Sequence, residues 1–169
     1  MMSVSNSGAV LFPALNDKAK VWIYIADRNL NQEEVTAINR SGADFASQWL
    51  SHGREVKGEI AIIFDRVLIV AASEEAFQVS GCSIDKTVGW VRELGSKYQI
   101  NFFDRFFTCV LKGNAVEGFN KEAFRAAVQK GYLNKDTLVF HSLAANLGEL
   151  RRQPFLPLAD SWHARVFQI

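Results

Sequence analysis

The spacing of apolar residues changes along the chain, and each spacing predicts a different element. Apolar, β-branched and aromatic residues run together in Val21–Ala26, as is typical of a short buried strand. Asn31 follows, with Glu34 three residues later, and this pair predicts a capping box at the start of a helix. Apolar and small residues then recur every three or four positions, which predicts an amphipathic helix with Gly53 as its stop: Val35, Ile38, Gly42, Phe45 and Trp49.

Two strand-like runs come next, separated by Asp65 and Arg66. Apolar residues alternate with charged ones at the start of Val56–Phe64, whereas Val67–Ala72 is apolar at every position. Because a two-residue break suits a tight turn, the two runs predict a β-hairpin. The second run is apolar on both faces, so we expect it to be a central strand.

The second half of the chain carries further elements. Ser83 marks the predicted N-cap of a second long helix that reaches Tyr98, and Asn120 marks that of a third helix ending at Gly131. A strand is predicted between these helices, at Phe106–Leu111. The remaining segments are a short strand, a short helix and an apolar, basic tail: Thr137–Phe140, Ala144–Arg152 and Asp160–Ile169.

The order strand, helix, strand, strand, helix, strand predicts an α+β fold. It is the order of a ferredoxin-like βαββαβ core, in which both helices cover one face of an antiparallel sheet. A C-terminal helical extension follows the core. The chain shows no internal repeat or linker, so we expect a single α+β domain at residues 20–169. Residues 1–19 are expected to form a flexible N-terminal extension.

Charge and composition narrow the partner classes. The 169 residues include 19 Lys and Arg against 18 Asp and Glu, and the net charge of +1 disfavours a nucleic-acid partner. No apolar run approaches the ~20 residues of a membrane helix, and the start lacks the basic residues of a secretory signal. The cysteines, Cys82 and Cys109, lack paired spacing. Together these features predict a cytoplasmic protein with no membrane association and no cofactor.

The first candidate site is the predicted N-terminus of the second helix. Gly81, Cys82, Ser83 and Asp85 combine a turn residue, a thiol, a hydroxyl and an acid there. Free amides and the helix dipole favour an anion at such a position and would lower the pKa of an exposed Cys82 thiol. The same residues also fit a purely structural role as turn, N-cap and first-turn acid.

The second candidate site lies near the C-terminus, in Asp160–Arg165. His163 could act as a general base, Arg165 could hold a carboxylate or phosphate, and Ser161 and Trp162 could complete a binding site. The structural alternative is a C-terminal segment that docks through Trp162. His141 could converge with Cys82 and His163 on a zinc ion, but the three positions lack the usual paired spacing, so no metal site is predicted.

Four segments of the chain resemble a family of small bacterial proteins that often carry the label "ABC transporter ATPase": Val21–Tyr24, Gly81–Lys86, Phe103–Arg105 and Asp160–Arg165. The resemblance implies no established activity, so it assigns no catalytic roles. The label itself conflicts with the residues. Gly113 to Gly118 is the nearest match to a Walker A loop, but Phe119 and Asn120 stand where Lys and Ser or Thr are required. We therefore do not expect ATPase activity.

These observations favour a non-enzymatic binding or interaction module that associates with itself or with a protein partner. No catalytic spacing is recognisable, and an apolar sheet with one open face would need a cover. The alternative is a small enzyme or anionic-ligand-binding protein whose pocket joins residues 81–85 to 160–165. In that case Cys82 would be the nucleophile and His163 the base. The sequence pattern does not decide whether these two segments meet.

Overall fold

The computed structural model describes residues 10–169, and the fold is α+β with antiparallel sheets and five α-helices in that part of the chain. The strands are β1 (Lys20–Ile25), β2 (Leu50–Ser51), β3 (Arg54–Glu55), β4 (Gly58–Ile63), β5 (Val67–Ala72), β6 (Thr108–Lys112), β7 (Ala115–Phe119), β8 (Leu138–Phe140) and β9 (Phe155–Pro157). The helices are α1 (Gln32–Ser47), α2 (Gly81–Tyr98), α3 (Lys121–Gln129), α4 (Leu147–Arg152) and α5 (Trp162–Phe167), with a 3-10 turn at Leu158–Asp160.

The first sheet has the strand order β1-β5-β4, with both neighbours antiparallel to β5. The predicted hairpin is present, and β5 is the central strand, buried along its whole length. Its turn is one residue longer than expected, because Ile63 pairs with Val67. Phe64 and Asp65 have positive φ angles of 54° and 52°, the left-handed conformation that such tight connections require.

Helices α1 and α2 pack on one face of this sheet, as the periodicity predicted. Ile38 of α1 and Val91 of α2 are fully buried against Leu68 and Val70 of β5. The capping box of Asn31 and Glu34 is formed. Gly53 does not stop α1, since the helix ends at Ser47 and Gly53 lies between β2 and β3.

The expected fourth strand does not join the first sheet. Residues after α2 begin along the free edge of β1, where the Asp27 amide donates to the Asn101 carbonyl (3.2 Å) and the Phe103 ring contacts that of Tyr24 (5.7 Å between centroids). That edge is where the fourth strand of a ferredoxin-like core would pair. The chain leaves it, and the predicted strand at Phe106–Leu111 becomes part of β6 in a different sheet.

A turn at Asp104 accounts for this departure. The Asp104 carboxylate accepts a hydrogen bond from the Phe106 amide (2.9 Å), and the Asp104 carbonyl accepts one from the Phe107 amide (3.2 Å). Aspartate side chains commonly stabilise turns in this way. The strand expected to complete the first sheet therefore belongs to the second sheet.

The second sheet has the strand order β7-β6-β8-β9 and packs on the face of the first sheet that α1 and α2 leave free. Val67, Ile69 and Ala71 of β5 are fully buried there, against a layer that includes Cys109 and Phe140 of the second sheet. The expectation of an open sheet face was therefore wrong, because the same chain covers it. Stacked sheets of this kind bury the alternate side chains of both partners.

The outer face of the second sheet carries α3 and the C-terminal segment. Phe124 of α3, Val110 of β6, Val139 of β8 and Leu158 are fully buried in this third core. The molecule thus has four layers: α1 and α2, the first sheet, the second sheet, and α3 with α5. The predicted C-terminal extension is part of this outer layer. Sequence analysis missed β7 and β9, as well as the two-residue strands β2 and β3.

Residues 11–19 are not the flexible extension expected from the sequence. Phe12 and Leu15 are buried in the core between the sheets. Arg151 of α4 donates hydrogen bonds to the carbonyls of Leu11, Phe12 and Leu15 (2.7, 2.8 and 2.9 Å) and forms an ion pair with Asp17 (2.8 Å). Residues 1–9 of the expected extension lie outside the described residues. No helix within residues 10–169 is long and apolar enough to cross a membrane.

Candidate functional site

The structure places the two candidate sites in opposite outer layers. Cys82 lies at the start of α2, which packs on the first sheet, whereas His163 lies in α5 and its ring is next to Phe124 (5.6 Å), beyond the second sheet. Both sheets stand between them. The pocket expected to join residues 81–85 to 160–165 is therefore not formed, and the pairing of Cys82 as nucleophile with His163 as base was wrong.

The start of α2 is built as a helix cap. Ser80, not Ser83, is the N-cap, and its hydroxyl accepts from the Ser83 amide (3.3 Å). Ser83 is buried, and its hydroxyl donates to the Leu50 carbonyl (2.7 Å). Gly81, Cys82 and Asp85 are exposed. The expected role of Ser83 as N-cap was one turn too late, because a serine stands at both positions.

His163 is enclosed instead of open to a substrate. The side chain is 1% exposed, and the Trp162 ring stacks on it with centroids 3.8 Å apart. The Ser161 hydroxyl donates to the Leu158 carbonyl (2.8 Å) and lies 3.1 Å from Nδ1 of His163. Because the Ser161 hydroxyl gives its only proton to Leu158, it can only accept a hydrogen bond from His163. Nδ1 of His163 therefore carries the proton. Nε2 has no hydrogen-bond partner among residues 10–169. Burial lowers the pKa of His163 to about 4, so the ring is neutral at pH 7.

The buried His163 ring packs against the inner side of the Trp162 ring and holds it in place. The indole nitrogen of Trp162 also donates to the Ser142 hydroxyl (3.1 Å), which fixes the ring in its plane. Trp162 is partly exposed, and its ring lies 6.4 Å from that of Phe106. The inner side of the Trp162 ring therefore docks the C-terminal segment onto the protein, as in the structural alternative given by the sequence. The outer part of the ring reaches solvent.

Exposed and partly exposed apolar residues lie near Trp162 at the surface. Leu143 follows Ser142 directly and is 67% exposed, and Val166 lies one helical turn after Trp162 and is 44% exposed. Phe106 is partly exposed on the other side. We call these four residues the Trp162 surface: Phe106, Leu143, Trp162 and Val166. Its backing on Ser142 and His163 holds it in one arrangement.

Residues far apart in the sequence meet at this surface, since the Phe106 and Trp162 rings are neighbours. Sequence analysis found Trp162 but missed Phe106 and Leu143 as its neighbours. The available signal was the large apolar residue Leu143, but no short-range sequence pattern connects positions 143 and 162.

Cationic side chains lie around the Trp162 surface. The ammonium group of Lys121 is 4.7 Å from the Phe106 ring centroid. Arg105 precedes Phe106, Arg165 lies three residues after Trp162, and both are exposed. Cations at this distance from an aromatic face interact favourably with it. Arg151 and Arg152 of α4, by contrast, both pair with Asp17.

A groove lies between α1 and α2. This groove has a volume of about 780 Å³, and Arg40 and Glu93 stand on its walls. Its floor includes Trp90, whose indole nitrogen donates to the Ser41 hydroxyl (3.0 Å) and which is 9% exposed. The lining holds no cysteine or histidine and carries charges of both signs.

No group of three or more potential metal-binding side chains occurs among residues 10–169. Comparisons with protein-family models, with curated proteins and with solved structures found no match to the chain. A function must therefore be argued from the geometry of the described residues.

Proposed function

We propose that this protein is a non-enzymatic binding module that recognises another protein through the Trp162 surface. One observation carries the proposal: a tryptophan held from behind by His163 and Ser142 has two exposed aliphatic residues close to it. Val166 follows it by one helical turn, and Leu143 is the chain neighbour of Ser142. Partly exposed aromatic anchors with apolar neighbours are typical of residues that dominate binding energy at protein interfaces.

Rigidity strengthens this assignment. A side chain that is already fixed loses little conformational freedom when a partner binds. The stack on His163 (3.8 Å) and the hydrogen bond to Ser142 (3.1 Å) fix Trp162 before binding. Self-association, the other partner class expected from the sequence, loses its main support because the second sheet covers the face that was expected to be open.

The unit β1–α1–β4–β5–α2 is proposed to be the first part of a ferredoxin-like core, which its strand order supports. The cytoplasmic location and the resemblance to the small bacterial family remain predictions from the sequence.

The test is selection of a random displayed peptide library against the full chain. We expect enriched peptides whose synthetic copies bind in fluorescence anisotropy. Their affinity should fall by about tenfold or more in Leu143→Ser and in Val166→Ser. Leu50→Ser is the matched control, because Leu50 is 41% exposed and lies in β2, next to the start of α2.

Two results would contradict the proposal. One is a selection that enriches no peptide. The other is a set of peptides that bind Leu143→Ser and Val166→Ser as tightly as the unchanged chain. Light scattering adds a further check: a mass near 18.9 kDa is expected, and a doubled mass that Leu143→Ser abolishes would make a second copy the occupant.

A further inference from the structure

The geometry points to an acidic partner: we propose that the Trp162 surface takes a peptide segment in which carboxylates accompany an apolar anchor residue. This inference rests on the proposed function and specifies its partner. The evidence for it is the set of charged side chains at the edge of the surface, because the apolar residues alone do not indicate an acidic partner.

Three cations border the two aromatic rings. Lys121 lies over the Phe106 ring (4.7 Å to the centroid), Arg105 adjoins Phe106 in the chain, and Arg165 follows Trp162 by three residues and so lies on the same side of α5. None of the three forms an ion pair among the described residues, although other cations do, such as Arg28 with Glu34. Their charges are therefore available to a partner.

None of the nearby acids forms an ion pair with these cations in the described part of the chain. The Asp104 carboxylate accepts the Phe106 amide hydrogen bond (2.9 Å) and is used in the turn. Glu122 is the next residue to Lys121 on α3, so its side chain projects about 100° around the helix from that of Lys121. Asp160 is exposed in the 3-10 turn before α5 and forms no ion pair in the described part of the chain.

The same charges argue against two other occupants. A second copy docked symmetrically on this surface would bring Arg105, Lys121 and Arg165 against the same residues of its partner, and like charges in contact are unfavourable. Single-stranded nucleic acid also uses aromatic rings and cations. However, such proteins usually carry a basic excess, whereas this chain has a net charge of +1.

The experiment compares three labelled peptides with the same alternating Leu and Phe positions. The positions between them are Asp and Glu in one peptide, Asn and Gln in the second, and Lys and Arg in the third. A labelled oligo-dT is the fourth probe. Fluorescence anisotropy with the full chain should show the tightest binding for the acidic peptide. Its affinity should fall as NaCl is raised from about 50 to about 500 mM, because salt screens exposed charges.

Charge-reversal variants locate the effect. Lys121→Glu with Arg165→Glu should weaken the acidic peptide by about tenfold or more. Lys57→Glu with Lys86→Glu changes the net charge equally, at exposed positions in the loop before β4 and on α2, and should leave the affinity within about twofold. Circular dichroism confirms that both double variants are folded.

The outcomes separate the partner chemistry from the proposed function. Equal or tighter binding of the neutral or basic peptide overturns the acidic partner, and if Leu143→Ser abolishes that binding the module function stands. Binding of oligo-dT without binding of the acidic peptide overturns both proposals. Loss of affinity in both double variants alike overturns the inference, since the effect would then follow net charge and not these two residues.

Discussion

At the scale of single residues, burial decides what a chemically versatile side chain does. His163 and Cys82 were candidates for base and nucleophile because of their chemistry. The structure encloses His163 between Trp162 and Phe124, whereas it leaves Cys82 exposed at the start of α2. Arg66 is also buried: the residue is 6% exposed, and Nη2 donates a hydrogen bond to the Asn29 side chain (2.6 Å).

The titration of His163 gives a prediction for stability. Burial lowers its pKa to about 4 in the folded state, against about 6.5 in an unfolded chain. Between these values the unfolded chain binds the proton more tightly, so stability is complete above about pH 6.5 and falls as the pH is lowered. Linkage gives a loss of about 3 kcal/mol by pH 4. The free energy of unfolding measured with urea should fall more steeply from pH 7 to pH 4 in the unchanged protein than in His163→Gln. Parallel curves would contradict the prediction.

Alanine substitutions at two glycines should have opposite effects on the free energy of unfolding. A Cβ on Gly118 of β7 would collide with the Arg66 guanidinium and lie 2.7 Å from the Phe107 ring. We expect Gly118→Ala to lower the free energy of unfolding by about 2–4 kcal/mol. Gly89 lies within α2 with nothing near its Cβ position, so Gly89→Ala should raise it by about 0.5–1 kcal/mol. Chemical denaturation measures both, and equal effects would be inconsistent with this packing.

At the scale of elements, α4 acts as an anchor for the segment that precedes β1. Arg151 binds three carbonyls and Asp17, while Leu147 and Leu150 of α4 are buried in the core between the sheets. A segment with only two large buried side chains, Phe12 and Leu15, is thereby held in place. The sequence did not indicate this, because the anchoring arginine lies far along the chain from the residues it binds.

Arg151 and Arg152 form a matched pair of variants. Arg151→Ala should cost about 2–3 kcal/mol, because several carbonyls lose a charged donor. It should also increase amide hydrogen exchange in residues 11–19. Arg152 is 67% exposed and 3.6 Å from Asp17, so Arg152→Ala should change stability by less than about 0.5 kcal/mol. Similar exchange in both variants would show that Arg151 is not the anchor.

At the scale of the whole molecule, four layers replace the two that the sequence predicted. A ferredoxin-like core alone would have left one face of the first sheet exposed. The second sheet covers that face and places its own opposite face under α3 and α5. The arrangement buries β5 on both sides, which explains why its six residues are all apolar.

Thiol reactivity tests this layering directly. Cys109 lies between the sheets, and burial raises its pKa to about 12, whereas Cys82 is exposed. Because the thiolate is the reactive form, Ellman's reagent should modify a single thiol in the folded protein and both in guanidinium chloride. Cys82→Ser should remove the fast reaction. Two fast thiols in the folded chain would contradict the close packing of the sheets.

Local signals determined much of this protein. The periodicity of α1, the capping box of Asn31 and Glu34, the apolar run of β5 and the hairpin before it all follow from residues near one another in sequence. Such features depend on backbone geometry and on which side of one element is apolar. The class of fold, α+β, also follows from the order of these elements.

Only the tertiary structure decided where the elements meet. Asp104 turns the chain away from β1, so β6 enters a second sheet instead of completing the first. That choice separates Cys82 from His163 and brings Phe106 beside Trp162, whose indole nitrogen donates to Ser142. The physical reason is that these contacts join residues tens of positions apart. Their free energy comes from burying one layer against another, which no short stretch of sequence records.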